Sequence, residues 1–300
     1  MNELIVSTTN LTKVFGKKKA VDGVSLHITK GSLYGFIGRN GAGKTTFMKM
    51  ISGLATQTSG EIELFGEKGL KSDAMRSRIG TLIEAPGLYP NMTAYQNLKL
   101  KTICAGINKP GYIEELLELV GLTDAAKLKT KKFSLGMKQR LGIAMALIGE
   151  PDILVLDEPI NGLDPQGIVE VRDTLLKLSK ERNMTILISS HILEELSKIA
   201  THYGIINNGK LIAEMTRDEL FAKCEEKVEI KVKDAKLACP VLDSLNLNNY
   251  KMIDNETIEL YEGLDRVSEI STALVSKGIQ LNGISTKSEN LEDFYLNITK

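Results

Sequence analysis

The stretch Gly38-Arg39-Asn40-Gly41-Ala42-Gly43-Lys44-Thr45-Thr46 decides how the chain is read. It fits the phosphate-binding pattern G-x-x-x-x-G-K-S/T, with Gly38, Gly43, Lys44 and Thr45 at the fixed places. Glycines let the backbone turn with φ > 0 and bring its N–H groups close to phosphate oxygens. A helix starting near Gly43 points its positive end at the same anion. Lys44 adds a full charge, worth about 4 kcal/mol per phosphate charge at roughly 4 Å and an effective dielectric of about 20. The Thr45 hydroxyl is placed to ligate Mg²⁺. Upstream, residues 32–37 (Ser-Leu-Tyr-Gly-Phe-Ile) read as a buried strand, and downstream residues 47–51 continue an apolar helix. Strand, loop and helix is the arrangement the pattern requires. It points to a nucleotide binder of α/β class.

Three hundred residues hold one large domain and a small one. Hydrophobic residues at 42% and charged residues at 25% are ordinary for a folded soluble protein. The 38 basic and 38 acidic side chains cancel, so whole-chain charge points to neither nucleic acid nor an anionic membrane surface. Cys104, Cys224 and Cys239 are odd in number, far apart and without a C-x-x-C. That argues for a reducing compartment and against a disulfide or zinc framework. Residues 1–10 carry Glu3 and no basic flank, so no signal peptide is expected. The longest uncharged apolar stretch near the middle, residues 141–149, is about half the length a membrane span needs. Any work at a membrane is expected to be done from outside the lipid.

Along the chain, residues 4–7 and 23–28 have strand composition, with Lys17, Lys18 and Lys19 in a turn between them. Residues 59–65 alternate as another strand and stop at Gly66. A strand from Ile79 is expected to end at Glu84, where Pro86, Gly87 and Pro90 break it. Helical patterns then run to about residue 150. Ile113, Leu116, Leu117 and Val120 share one face, closed by Gly121. Ser134 is the expected N-cap of a helix burying Leu141, Ala144, Met145 and Ile148. Residues 153–156 and 185–190 read as central parallel strands buried on both faces. Thr216 and Glu219 make a capping box for a helix leading away from the core. Beyond about residue 225 the character changes. Strands at 228–232, 257–261 and 279–284 alternate with three helices. The first has Pro240 in its first turn and carries Val241, Leu242 and Leu245; the others cover 264–277 and about 291–296. This predicts a small α+β appendage without a catalytic constellation.

Two strand ends turn binding into a mechanism. The run Ile153-Leu154-Val155-Leu156 leads into Asp157-Glu158. Asp157 can hold Mg²⁺ directly or through water, and Glu158 can polarise an attacking water. Paired acids at strand ends are also common surface features; the wholly apolar strand and the phosphate loop upstream favour chemistry. Asn161-Gly162-Leu163-Asp164 follows at once. His191 closes the next strand, where a γ-phosphate contact must come from, whereas His27 and His202 read as structural. Phe15 precedes the phosphate loop and can either stack on an adenine ring or fill the core.

Residues 133–140 read Phe-Ser-Leu-Gly-Met-Lys-Gln-Arg. With this segment the set resembles the ATP-binding subunit of an ABC transporter, over residues 1 to about 215. Phe15 matches the family's adenine-stacking aromatic. Arg39, Asn40, Gly41, Ala42 and Gly43 lie within its Walker A loop, with Lys44, Thr45 and Thr46 behind them. Asp157 and Glu158 match Walker B and the catalytic glutamate, residues 161–164 match the D-loop and His191 the switch histidine. Ser134 and Gly136 align with the signature, usually Leu-Ser-Gly-Gly-Gln, while Phe133, Leu135 and Met137 depart from it. In the family this segment crosses a dimer interface and closes on the partner copy's γ-phosphate.

The resemblance implies catalytic roles for Glu158, His191 and Lys44. It implies nucleotide contacts from Phe15, from residues 38–46, and from Ser134, Gly136 and Asp164. The implied metal ligands are Thr45, Asp157 and Glu84, the last standing where the family has its Q-loop glutamine. The implied cofactors are ATP and Mg²⁺. The implied partners are a second copy of the chain and an integral-membrane permease, with no nucleic acid, on the cytoplasmic face of a bacterial membrane. The implied fold is α/β, a P-loop NTPase core of ABC type over residues 1–220, with an inserted helical subdomain at about 85–150. Residues 221–300 form the small C-terminal α+β domain. Glu84 followed by Pro86-Gly87-Leu88-Tyr89-Pro90, the 133–140 segment and Leu291-Glu292-Asp293-Phe294-Tyr295 resemble a narrower branch. This is the bacitracin-resistance and lantibiotic-immunity type of bacterial ABC ATPase, which implies export of a peptide antibiotic. The rival readings are a soluble ABC protein acting on nucleic acid or ribosomes, and an exporter ATPase for a lipid or other cargo. A single phosphate loop, no heptad run and no basic stripe speak against the soluble rival.

Overall fold

The computed structural model of the protein describes residues 3–69, 72–224, 226–288 and 291–299. Met1 and Asn2, where the segment read for a signal peptide begins, lie outside the described residues. Two compact units divide the chain, Met1–Arg217 and Asp218–Lys300. No disulfide forms among the described residues.

The first unit carries a six-stranded sheet in the order β11-β10-β4-β9-β8-β7. Its strands are β4 (Leu33–Ile37), β7 (Ile79–Leu82), β8 (Ile153–Leu156), β9 (Thr185–Ser190), β10 (His202–Asn207) and β11 (Lys210–Thr216). All neighbours run parallel except β11, which is antiparallel to β10. Every residue of β4, β8 and β9 is buried, the pattern of strands covered on both faces. Registers of Ile37 with Ser190 and Leu156 with Ile188 bring the C-terminal ends of β4, β9 and β8 side by side.

A second, antiparallel sheet holds β1 (Leu4–Phe15), β2 (Lys18–Val24), β3 (His27–Thr29), β5 (Ser59–Leu64) and β6 (Glu67–Lys68). Three local expectations change here. The strand expected at 4–7 runs on to Phe15, because β2, β3 and β5 all pair with it. Lys18 and Lys19 lie in β2 rather than in a turn, since Phe15 pairs with Lys18 and only Gly16 and Lys17 close the hairpin. The strand expected at 23–28 breaks after Val24, as β2 pairs with the second half of β1 and β3 with the first.

Helix α1 (Lys44–Ile51) follows the phosphate loop, and α2 (Asp73–Ser77) is capped by Ser72. Between β7 and β8 come α3 (Ala94–Cys104), α4 (Tyr112–Leu119) and α5 (Leu135–Ala146). Thr93 and Gln96 close a capping box on α3. The buried side of α5 is wider than expected. Gly142 and Ile143 are buried with Leu141 and Ala144, while Met145 is half-buried and Ile148 lies past the helix end. The cause is that α3, α4, β7 and the later helix α6 (Pro165–Arg182) all pack on α5. A Cβ at Gly142 would come 2.8 Å from the Pro86 side chain, so this glycine lets the segment after β7 lie against the helix. Helix α6 (Pro165–Arg182) starts on Asp164, with Pro165 in its first turn. The short α7 (Leu193–Ser197) follows β9, and α8 (Arg217–Lys223) follows β11 directly.

In the second unit β12 (Glu226–Val232), α9 (Ala235–Ser244), β13 (Tyr250–Met252), β14 (Thr257–Leu260), α10 (Val267–Ser276) and β15 (Leu281–Ser288) follow one another, before α11 (Leu291–Ile298). The β-α-β-β-α-β sequence with antiparallel order β13-β14-β12-β15 is a ferredoxin-like split βαβ fold. Val228, Ile230, Val232, Ile258 and Leu260 form its core with Ala238 and Leu242 of α9 and Ile270 and Leu274 of α10. Pro240 sits inside α9 and not in its first turn, and Leu245 falls at the C-cap. The helix starts on Asp234, whose carboxylate accepts from Lys236 N at 3.0 Å, and burial of Ala235 and Ala238 carries it through the proline.

Candidate nucleotide site

Ligands of α/β sheets bind beyond the carboxyl ends of the strands. Here those ends carry Gly38 after β4, His191 after β9 and Asp157-Glu158 after β8. Gly38 N donates to Ser190 O at 3.3 Å, tying the start of the phosphate loop to the strand that delivers His191. Two of the motif glycines are demanded by packing. A Cβ at Gly38 would lie 2.5 Å from Ile206 O, and one at Gly43, with φ 111, would lie 2.4 Å from Ala20 O. Above the loop opens a cleft of about 340 Å³. Phe15, Lys18 and Ala20 line it from the β1–β2 hairpin, and Asn40, Gly41, Thr45 and Thr46 from the loop and α1. Phe15 is 56% exposed and carries Lys13 Nζ 5.0 Å from its ring centre, so it is no core side chain.

Lys44 is buried, and its ammonium donates to Gly38 O at 2.5 Å and Arg39 O at 3.3 Å. It also stands 3.0 Å from Glu158 Oε1 without an aligned hydrogen bond, so the contact is an ion pair. The other Glu158 oxygen is 2.8 Å from His191 Nδ1. One run of contacts therefore joins the three residues expected to be catalytic. Asp157 lies beside them: Thr45 Oγ1 donates to its Oδ2 at 2.7 Å and Ser189 Oγ to its Oδ1 at 2.6 Å. The Ser189 hydroxyl also accepts from Glu158 N at 2.9 Å. Glu158 holds φ 48, a left-handed conformation that costs a non-glycine residue about 1–2 kcal/mol, and this hydrogen bond helps keep it there. Sequence reasoning missed Ser189. Its only signal was its place two residues before His191 on a strand parallel to β8.

Three of the expected residues make other contacts in this structure. Arg39 gives the site its carbonyl oxygen while its side chain is exposed. Ala42 is buried and packs under the loop, its carbonyl accepting from Gly209 N at 2.9 Å. Glu84 does not reach Thr45 or Asp157. Strand β7 ends at Leu82, whose carbonyl accepts from Asp157 N at 2.8 Å, and Glu84 follows with φ 66. Its Oε1 pairs at 2.5 Å with Nζ of Lys49, which stands one turn after Thr45 on α1.

Ser134, Gly136 and Asp164 form a separate cluster and do not line the cleft. The Ser134 hydroxyl accepts from Met137 N and the Asp164 carboxylate from Gly167 N, both at 3.2 Å, capping α5 and α6. A Cβ at Gly136 would be 3.3 Å from Gly167 Cα, so the two helix starts touch. The phosphate loop and the signature segment thus present two distinct surfaces of the unit.

Residues 21–161 match the ABC transporter family. Over 296 residues the chain is 43% identical to the bacitracin transport ATP-binding protein BcrA of Bacillus licheniformis, spanning 98% of this chain and 97% of that one. The chain belongs to the ABC transporter ATP-binding family. It is an ATPase subunit that binds ATP and couples its hydrolysis to transport. This ABC ATPase is also 47% identical over 209 residues to the lantibiotic transport ATP-binding protein SrtF of Streptococcus pyogenes, over 70% of this chain and 90% of the relative. A dimeric ATP-binding cassette solved in a post-hydrolysis state with ADP and Pi is 26% identical, with a TM-score of 0.63 over 71% of this chain and 99% of that one. The family, the fold class and the activity expected from the sequence are borne out. Among the described residues no helix is long and apolar enough to cross a membrane.

Proposed function

We propose that this ABC ATPase works as two copies closed around ATP on the cytoplasmic face of a bacterial membrane, driving a separate permease that exports a peptide antibiotic. The observation that carries the catalytic part is the run Lys44–Glu158–His191 at the cleft. Glu158 takes the proton of a water whose oxygen attacks the γ-phosphorus, the β–γ bridge bond breaks, and ADP leaves. His191 orients the Glu158 carboxylate through Nδ1. A phosphate entering the cleft competes with Glu158 for the Lys44 ammonium, freeing the carboxylate for the water. Thr45 and Asp157 offer two hard oxygens beside the phosphate loop, a donor set that suits Mg²⁺ completed by phosphate and water; Glu84 is the third candidate. When bound, Mg²⁺ neutralises charge on the β- and γ-phosphates.

The two-copy arrangement is supported by the separation of the signature cluster from the cleft and by the dimeric state of the relative solved with ADP and Pi. The cargo class rests on the relatives named for bacitracin and lantibiotic transport. Permease docking falls to the segment after Glu84. Asn97 and Thr130 hold the Tyr89 backbone, with Tyr89 N donating to Asn97 Oδ1 at 2.8 Å and Thr130 Oγ1 donating to Tyr89 O at 2.9 Å. The Tyr89 ring is left 55% exposed, close in sequence to half-buried Leu88 and exposed Tyr95. Size-exclusion chromatography of Glu158→Gln with ATP tests the pairing. A dimer is expected, and a monomer at micromolar protein counts against it. Loss of bacitracin or lantibiotic tolerance on deletion tests the cargo.

A further inference from the structure

Resting on the reading of Glu84 as a metal-site residue, we propose that Lys49 is the positioning residue for Glu84: it holds the carboxylate one helical turn from Thr45 and yields it to the bound metal. Lys49 follows Thr45 by four residues on α1, so the two side chains share a face, roughly 5–6 Å apart at Cβ. Its ammonium is 2.5 Å from Glu84 Oε1 and pairs with no other carboxylate among the described residues. The backbone holds Glu84 from the opposite side. Leu82, two residues earlier, accepts the hydrogen bond of Asp157 N, and the left-handed turn at Glu84 aims the chain away from the strand. The chain is thus tied to the Asp157 backbone through Leu82, and the Glu84 carboxylate is held by Lys49 one turn along the helix from Thr45.

The exposure of the pair fits exchange. The Lys49 and Glu84 side chains are 35% and 67% exposed, so water screens the contact and keeps it weak. A divalent cation between Thr45 and Asp157 attracts the carboxylate with twice the charge of an ammonium. A buried pair would lock Glu84 in place; this one can let go. A neutral residue at position 84 would gain little from Lys49, so the lysine acts through the carboxylate.

Mn²⁺ binding in the presence of a non-hydrolysable ATP analogue, followed by electron paramagnetic resonance, tests the assignment. Lys49→Met should tighten Mn²⁺ by about two- to fivefold, the range of an exposed ion pair. Lys49→Arg should restore the original affinity, and Lys49→Met should change nothing in a Glu84→Gln chain. No tightening by Lys49→Met overturns the proposal. So does equal tightening in both backgrounds, which would make Lys49 a distant charge acting on the metal directly. Glu84→Ala alone separates the two layers, because a glutamine there still offers a carbonyl oxygen to the metal. If it weakens Mn²⁺ while Lys49→Met has no effect, the metal role stands and only the positioning role falls. If it leaves Mn²⁺ unchanged, Glu84 is no metal residue and both fall.

Discussion

The two units handle charge on a β-sheet in opposite ways. In the first, β8 and β9 are buried along their whole length, and the ionisable side chains of Asp157, Glu158 and His191 wait at the strand ends. In the second, β12 alternates. Val228, Ile230 and Val232 face the helices, while Lys227, Glu229 and Lys231 spread along the other face. There Lys227 pairs with Glu259 at 2.6 Å, and Glu229 with Lys287 at 2.7 Å and Lys231 at 3.4 Å. Each of these charges meets a neighbour of opposite sign on the next strand or its own, which satisfies the face and leaves no convergent point. At the strand ends of the first unit Glu158 meets both the buried Lys44 ammonium and His191, with Asp157 beside it, and catalysis draws on such convergence. A sheet face solvates charge; a sheet end concentrates it.

The strongest way to break this contrast is at the strand end. Glu158→Gln should lower ATP hydrolysis by about 10²-fold or more, the effect of losing a general base. It should also tighten ADP, because the amide no longer competes with phosphate for Lys44. Steady-state hydrolysis and ADP titration measure both, and weaker ADP binding would mean that the Lys44 contact assists the phosphate. Ser189→Ala comes next. It removes the hydroxyl that orders Asp157 and the Glu158 backbone, and should slow hydrolysis about tenfold, roughly 1.4 kcal/mol in the barrier. A wild-type rate would show that β9 positions the acids without it.

Leu88→Glu should leave hydrolysis by the isolated chain unchanged and remove its response to the permease in reconstituted membranes. If the chain unfolds instead, Leu88 belongs to the core and the docking surface lies elsewhere. The smallest effect belongs to the second unit. Glu229→Gln should cost under about 1 kcal/mol of stability, as for a screened surface pair, with no change in hydrolysis. The hydrogen bond from Lys287 holds the Glu229 carboxyl below its ordinary range. Its contribution is therefore complete above that range and fades as pH falls through the lowered value. Urea unfolding across pH should show wild type and variant converging in acid; a gap that widened in acid would contradict the pairing.

Much of the first unit was legible because its signals are local. Strand β8 announces itself as four apolar residues before two acids, and the phosphate loop as fixed glycines before a lysine and a threonine. Ser134 was readable as a helix start because a cap is satisfied within three residues. Local reading failed where pairing decides the outcome. The polar middle of β1 becomes strand only because three partners hydrogen-bond to it, and α9 runs through Pro240 because Ala235, Ala238, Val241 and Leu242 are buried in the core of the second unit.

By itself the sequence determined that the chain binds nucleotide and which family it resembles, and it named the residues proposed for phosphate, metal and base chemistry. Those properties depend on residue types at short, fixed spacing. Only the tertiary structure decided how they meet. Thr45 reaches Asp157 across 112 positions of sequence, and Ser189 serves both acids across 32 and 31. Glu84 lies on Lys49, 35 positions away. Such contacts are set by strand order and register, which place the ends of β4, β9 and β8 together, and no short window of sequence encodes that order.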